Sequence, residues 1–162
     1  MRNDNSVLRI VKIVGLVVVV LLLGAQVVRP DKTNPGIEAV RTIESRTELT
    51  PAIAELFNRA CNDCHSNKTD WPWYSNVAPV SWFVIDHVNH GRRHLNFSAW
   101  GDYDPERAGD LLRNIAKEVQ QGSMPLTSYT LLHPEAKLSP GERNMIVEWA
   151  QAERTRLAYK IR

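Results

Sequence analysis

Cys61-Asn62-Asp63-Cys64-His65 is the stretch of the chain whose residue types and spacing specify chemistry. Two thiols three residues apart fall on the same side of a helical turn, and an imidazole follows the second directly. This is the sequence form of a c-type haem attachment site. Cys61 and Cys64 would form thioether bonds to the two vinyl groups of one porphyrin, and His65 would ligate its iron from the proximal side. Three other chemistries compete for these residues. A thioredoxin-like dithiol needs a βαβ surrounding, and no alternating strand pattern flanks Cys61. A structural zinc site needs four protein ligands, but the chain has 2 cysteines in all, and His87, His90 and His94 are the nearest further donors. A local disulfide would leave the adjoining histidine without a role.

A sixth iron ligand is expected from the loop Ser123-Met124-Pro125, which follows the helix stop at Gly122. A methionine fixed beside a proline just past a helix end is poor core filler, whereas a rigid loop presenting a thioether suits a distal ligand. Met124 is therefore the expected partner of His65. Of the other methionines, Met1 is the start and Met145 is assigned to the apolar face of the last helix. His87, His94 and His133 are the alternatives, since two imidazoles also make a sound haem ligand pair. His87 and His94 share a face only if their helix runs through Gly91. Arg92 and Arg93 suit haem propionates or form a solvated positive patch.

The elements that must position these groups read as helices. Thr50-Pro51 pairs a cap residue with proline at the first helical position, and Ile53, Leu56, Phe57, Ala60 and Cys64 follow at helical spacing, which places the motif at a helix C-terminus. Trp71, Trp73 and Tyr74, beyond a polar turn, read as a haem-pocket wall or as ordinary core packing. Pro79 to Asn89 reads as a second helix, with Trp82, Phe83, Ile85 and Val88 as its larger apolar residues. Asp104-Pro105 opens a third, whose stripe is Ala108, Leu111, Leu112, Ile115, Ala116 and Val119, ending at Gly122. Leu126 to Leu132 suggests a short turn broken by His133-Pro134. Ser139-Pro140-Gly141-Glu142 is a capping box, and Met145, Ile146, Trp149 and Ala152 are the expected buried stripe of the last helix. Asn67-Lys68-Thr69 and Asn96-Phe97-Ser98 match the glycosylation sequon and carry no weight here.

At 162 residues the chain has room for one small domain and an anchor. A formal charge of +2, with bases scattered among acids, gives no footprint for nucleic acid. Residues 13–28 form the expected transmembrane signal anchor, or 10–28 if Lys12 snorkels toward the headgroups; the longer stretch spans roughly 28 Å against a hydrocarbon core of about 30 Å. Residues 1–12 are then a cytoplasmic tail whose Arg2, Arg9 and Lys12 favour that side, although Arg29 and Lys32 weaken the contrast. Covalent haem is attached on the outer side of bacterial membranes, so the chain beyond Val28 is expected in the periplasm. A cleaved signal peptide is the competing reading. It is disfavoured because the apolar run exceeds the usual length and Gly24-Ala25-Gln26-Val27 is a poor cleavage site. Residues 29–49, with Pro30, Pro35 and Gly36, suit a tether, leaving 50–162 as the haem-binding domain.

Taken together, Cys61-Asn62-Asp63-Cys64-His65, Trp71-Pro72-Trp73-Tyr74-Ser75, Ala78-Pro79-Val80-Ser81-Trp82, His94-Leu95-Asn96-Phe97-Ser98 and Ser123-Met124-Pro125-Leu126 give a chain that resembles the bacterial haem-binding domain family. Its members are small membrane-tethered proteins with one c-type haem site, and the resemblance covers nearly the whole length. It implies a covalently bound haem c in an all-α, cytochrome c-like domain behind one N-terminal transmembrane helix. The resulting expectation is a single-pass protein of the inner (cytoplasmic) membrane that passes single electrons to redox protein partners not named by the sequence. The competing function is a haem enzyme, peroxidase-like, or a gas or redox sensor, with an open distal site where His87 or His94 acts as acid or base.

Overall fold

Thr50, Asp104 and Ser139 each supply a side-chain acceptor for an orphan N–H group at a helix start. In the computed structural model, which describes residues 2–160, every regular element among those residues is helical and none is a strand. Met1, Ile161 and Arg162, at the ends of the predicted tail and haem domain, lie outside the described residues. The chain forms two compact units, one made of residues up to Thr33 together with Trp71–His87, the other of Asn34–Asp70 and the chain from Val88 onward.

The first unit holds helix α1 (Arg2–Ala25). Its stretch Ser6–Ala25, 20 residues with mean hydropathy 2.7 and none of it buried, is long and apolar enough to cross a membrane. The helix stops before the predicted end of the span at Val28. Gln26, Val27 and Val28 leave it through bonds to the carbonyls of Leu23, Gly24 and Ala25, the tightened geometry of a helix that is ending. Gln26, a polar residue just past the apolar helix, is a fastener. Its Nε2 donates to Leu22 O at 2.8 Å and to Ala78 O at 3.0 Å, while its Oε1 accepts from Ala78 N at 3.0 Å. The same unit includes a 3-10 turn at Trp73–Asn76 and the start of a long helix.

In the second unit, the segment expected to be a tether contains structure. A 3-10 turn (Ala39–Arg41) leads into a short helix, α2 (Ile43–Arg46), and Ile43 is 1% exposed in the core. A single large aliphatic residue in a polar stretch is enough to pin it, because burying one such side chain contributes about 1.5–3 kcal/mol. Helix α3 (Pro51–Ala60) starts as expected, with Thr50 Oγ1 accepting from Ile53 N, and it buries Ile53, Leu56, Phe57 and Ala60. It ends one residue before the motif. Cys61 has φ −130° and ψ −42°, and the separate turn α4 (Asn62–His65) follows it.

Helix α5 (Val80–His94) runs five residues beyond the expected Asn89, through Gly91. Helix α6 (Pro105–Gln121) is capped by Asp104 and closed by Gly122 at φ 73°, and it buries all six residues of its expected stripe. Helix α7 (Thr127–Leu132) follows, and α8 (Pro140–Lys160) packs along α6. The capping box is formed, with Glu142 Oε2 accepting from Ser139 N and Ser139 Oγ from Glu142 N. The buried stripe of α8 is rotated from the expected one. Met145 is 41% exposed and Ala152 is exposed, whereas Ile146, Val147, Trp149, Ala150 and Glu153 are buried. Glu153 is tolerated inside because its carboxylate accepts from Glu48 N and from the Arg156 guanidinium, which satisfies a buried charge.

Candidate haem-binding site

The motif is delivered by the packing of its own helix. Phe57 of α3 stacks on Phe97 at 4.9 Å and meets the Trp149 ring edge-on at 5.1 Å, so the end of α3 is held rigidly against the core. The break at Cys61 then turns the chain. Cys64 N and His65 N both bond to Cys61 O, at 3.2 and 2.9 Å, and this compact turn brings both thiols and the imidazole within a few residues of one another.

Burial dominates the chemistry of these groups. It pushes the Cys61 thiol up to about 12 and the Cys64 thiol to about 11. Both are unpaired and would be protonated at neutral pH. A redox-active dithiol needs the opposite, a lowered pKa that supplies thiolate. Zinc fares no better: among the described residues no group of three or more His, Cys, Asp or Glu side chains converges as metal ligands would.

His65 sits on the Phe97 ring at 6.2 Å between centroids. Its Nδ1–H donates to Leu95 O at 3.2 Å. Burial holds its pKa below the ordinary value, with the charge of His94 adding to that and the carbonyls of Leu95 and Gly91 opposing it. The ring is thus neutral, with Nδ1 committed and the Nε2 lone pair available, the tautomer an iron ligand requires. Neutral thiols beside an oriented neutral imidazole fit haem, and these three side chains would hold it.

Two features of the site were not legible in the motif. The first is Gly91 of α5, which lies against Cys64 of the motif turn. A Cβ at this position would stand 2.5 Å from Cys64 O and 3.1 Å from its carbonyl carbon, so α5 approaches the motif as closely as backbones allow. The second is Asp63, one of the two variable positions between the cysteines. Its carboxylate accepts from Asp70 N at 2.9 Å and from the Tyr129 hydroxyl at 2.7 Å.

The Tyr129 contact bears on Met124. Gly122, Ser123 and Met124 cap α6 through bonds to Val119 O and Glu118 O, and Met124 is half-buried before a cis peptide bond to Pro125. Tyr129, in the helix that follows, ties the far end of this loop to the attachment turn. Tyr129→Phe is expected to lower stability by about 1–2 kcal/mol, since it deletes a hydrogen bond to a charged acceptor. A thermal melt of the variant checks this, and an unchanged Tm would show that the hydroxyl contributes nothing.

The other candidates are placed differently. His87 Nδ1–H donates to Phe83 O at 2.9 Å, and His94 Nδ1–H to His90 O at 3.0 Å, with the His90 and His94 rings stacked on the helix surface. His133 stacks on Tyr129 at 4.4 Å and bonds to Glu135 Oε1 at 3.1 Å. Arg92 is neither a free patch nor an idle one. Its guanidinium donates to Ser66 O, Asn34 Oδ1 and Thr69 Oγ1 at 2.7–2.8 Å, clamping the chain that leaves the motif. Arg93 is exposed. The asparagines of the two sequon matches serve the same clamp: Asn96 Nδ2 donates to Asn67 Oδ1, and Asn67 N to Ser98 Oγ. The expected aromatic wall divides, Trp73 being 77% exposed while Trp71 and Tyr74 are half-buried.

No curated protein and no solved structure matches this chain. A family model does: the haem-binding domain model aligns over residues 20–152, a stretch that contains residues 61–65, Gly91, the Met124 loop and most of α8. With that match covering most of its length, this chain belongs to the haem-binding domain family.

Proposed function

We propose that this protein is a membrane-tethered, monohaem c-type cytochrome that carries single electrons in the periplasm. The observation that carries the reading is the turn at Cys61–His65, in which two unpaired thiols precede an imidazole whose Nδ1–H is held by Leu95 O. Cys61 and Cys64 would hold the porphyrin by thioether bonds, His65 would ligate iron through Nε2, and Met124 would complete the coordination. Bound haem supplies a one-electron ferric–ferrous couple, whose potential methionine ligation raises.

The chain's own part is to hold these ligands still. Leu95 O fixes the His65 ring, the α3 core fixes the turn, and Tyr129 with Asp63 fixes the Met124 loop. Ligands held rigidly change little between oxidation states, which favours fast electron transfer over substrate chemistry. Helix α1 would act as the single-pass anchor in the inner membrane, its length matching the hydrocarbon core.

The test is the optical and magnetic spectrum of the full chain made in a host that attaches haem c, beside Met124→Ala. A low-spin spectrum with a methionine–iron charge-transfer band is expected in the parent. In the variant, loss of that band and rapid binding of carbon monoxide or cyanide are expected. An unchanged spectrum in Met124→Ala would remove Met124 as ligand, and a parent that is already high-spin would replace the electron carrier with a ligand-binding haem protein.

A further inference from the structure

The first unit exposes apolar surface that neither haem binding nor the transmembrane helix accounts for. Trp73 is 77% exposed and Phe83 53%, and Val77, Val80 and Trp82 are exposed beside them. A soluble protein seldom leaves tryptophan this open, and clustered exposed apolar side chains mark a surface that something covers.

What covers it is indicated by where the segment is fastened. The Gln26 side chain brackets both backbone groups of Ala78 at the end of α1. Trp82 Nε1 donates to Val28 O at 2.8 Å. Lys32 Nζ bonds to Ser75 Oγ and Asn76 Oδ1 and lies 5.9 Å from the centre of the Trp71 ring. Five hydrogen bonds and one cation–π contact therefore lash residues 71–82 to the stretch of chain that leaves the apolar helix.

That stretch has a defined depth. Ser6–Ala25, 20 residues, rises about 30 Å, the thickness of the hydrocarbon layer. Gln26, and Ala78 with it, consequently falls at the boundary where acyl chains give way to headgroups. Tryptophan, with an apolar ring and an N–H donor, is the side chain suited to that boundary. Arg29 and Lys32 stand at the same level, where cations are drawn to anionic headgroups.

We propose that residues 71–83 lie in the phospholipid headgroup layer of the membrane that α1 crosses, with Trp73 and Phe83 inserted among the lipids. The protein is then held by two elements, a spanning helix and an interfacial aromatic segment. The proposal rests on α1 being retained as an anchor, so its test includes a position inside α1.

The full chain is made in cells with p-benzoylphenylalanine replacing Leu16, Trp73, Phe83 or Glu55 in turn, membranes are irradiated, and adducts are read by mass spectrometry. Leu16 reports on the anchor, and Glu55, exposed on α3, on the aqueous phase. Phospholipid adducts several-fold above the Glu55 level are expected at Leu16, Trp73 and Phe83. Lipid adducts at Leu16 alone would overturn the interfacial segment while keeping the anchor, and protein adducts at Trp73 and Phe83 would make the patch a docking face instead. Absence of lipid adducts at Leu16 would overturn both.

Discussion

In a host equipped to attach haem c, the Cys61→Ala, Cys64→Ala double variant is expected to run at its bare polypeptide mass, while the parent keeps one haem through denaturation and acid–acetone extraction. The effect is all or none because the two sulfurs are the only covalent links available: the chain has 2 cysteines and both lie in the motif. The loss extends to stability. A tethered porphyrin would be buried, with its iron ligated, only in the folded state, and that burial would add apolar contact to a domain whose size leaves it little to spare from its own core. The variant is therefore expected to melt well below the parent, or to fail to accumulate. Each single variant should retain one thioether bond at most and carry a red-shifted, vinyl-bearing haem. The pyridine haemochrome measures this directly. A colourless parent at its bare mass would remove the cytochrome reading and everything built on it.

The second large effect concerns a residue with no functional group. Gly91→Ala places a Cβ 2.5 Å from Cys64 O, closer than real carbon–oxygen contacts allow, and both obstacles are backbone. The strain has two outlets: α5 moves away, or the attachment turn does. Overpacking of this kind costs about 1–3 kcal/mol, and Gly91→Val belongs at the upper end or beyond. Gly109→Ala is the internal control, since a Cβ there meets nothing within 4 Å, and alanine in a helix interior is favoured over glycine by roughly 1 kcal/mol. Gly91→Ala should thus lower Tm by several degrees and reduce the yield of haem-loaded protein, whereas Gly109→Ala should leave the yield unchanged and raise Tm slightly. Equal behaviour of the two variants would show that the close approach at Gly91 does not matter.

The contrast between those two glycines also explains what could be read from sequence. Local signals survived intact. The Thr50 and Asp104 caps, the stop at Gly122, the Ser139–Glu142 box and the α6 stripe each depend on residues a turn or two apart, and each stands where periodicity and cap chemistry put it. The motif itself is local, which is why haem binding was legible at once. What depended on distant partners was not. Gly91 matters only because Cys64 lies against it, and Gln26 only because Ala78 does. Ile43 looked like part of a tether because its companions in the core are elsewhere in the chain. The α8 stripe was misplaced by Glu153, a charge that apolar periodicity must assign to solvent but that Glu48 N and Arg156 hold inside. Trp73 belonged to a cluster read as a wall or as core, and it is exposed, while the ties between residues 71–82 and the end of α1 lie in no single window of sequence.

One consequence concerns the partner of the His65 ring. Its acceptor, Leu95 O, belongs to the main chain. A carboxylate in that place would pull the ring toward imidazolate, strengthen its donation to a metal and come and go with acidity. A peptide carbonyl does none of these things: it takes up no proton across the biological range, and no exchange of the residue 95 side chain deletes it. The donor strength of this histidine is thus written into the path of the backbone, and tuning it would require moving the chain after α5.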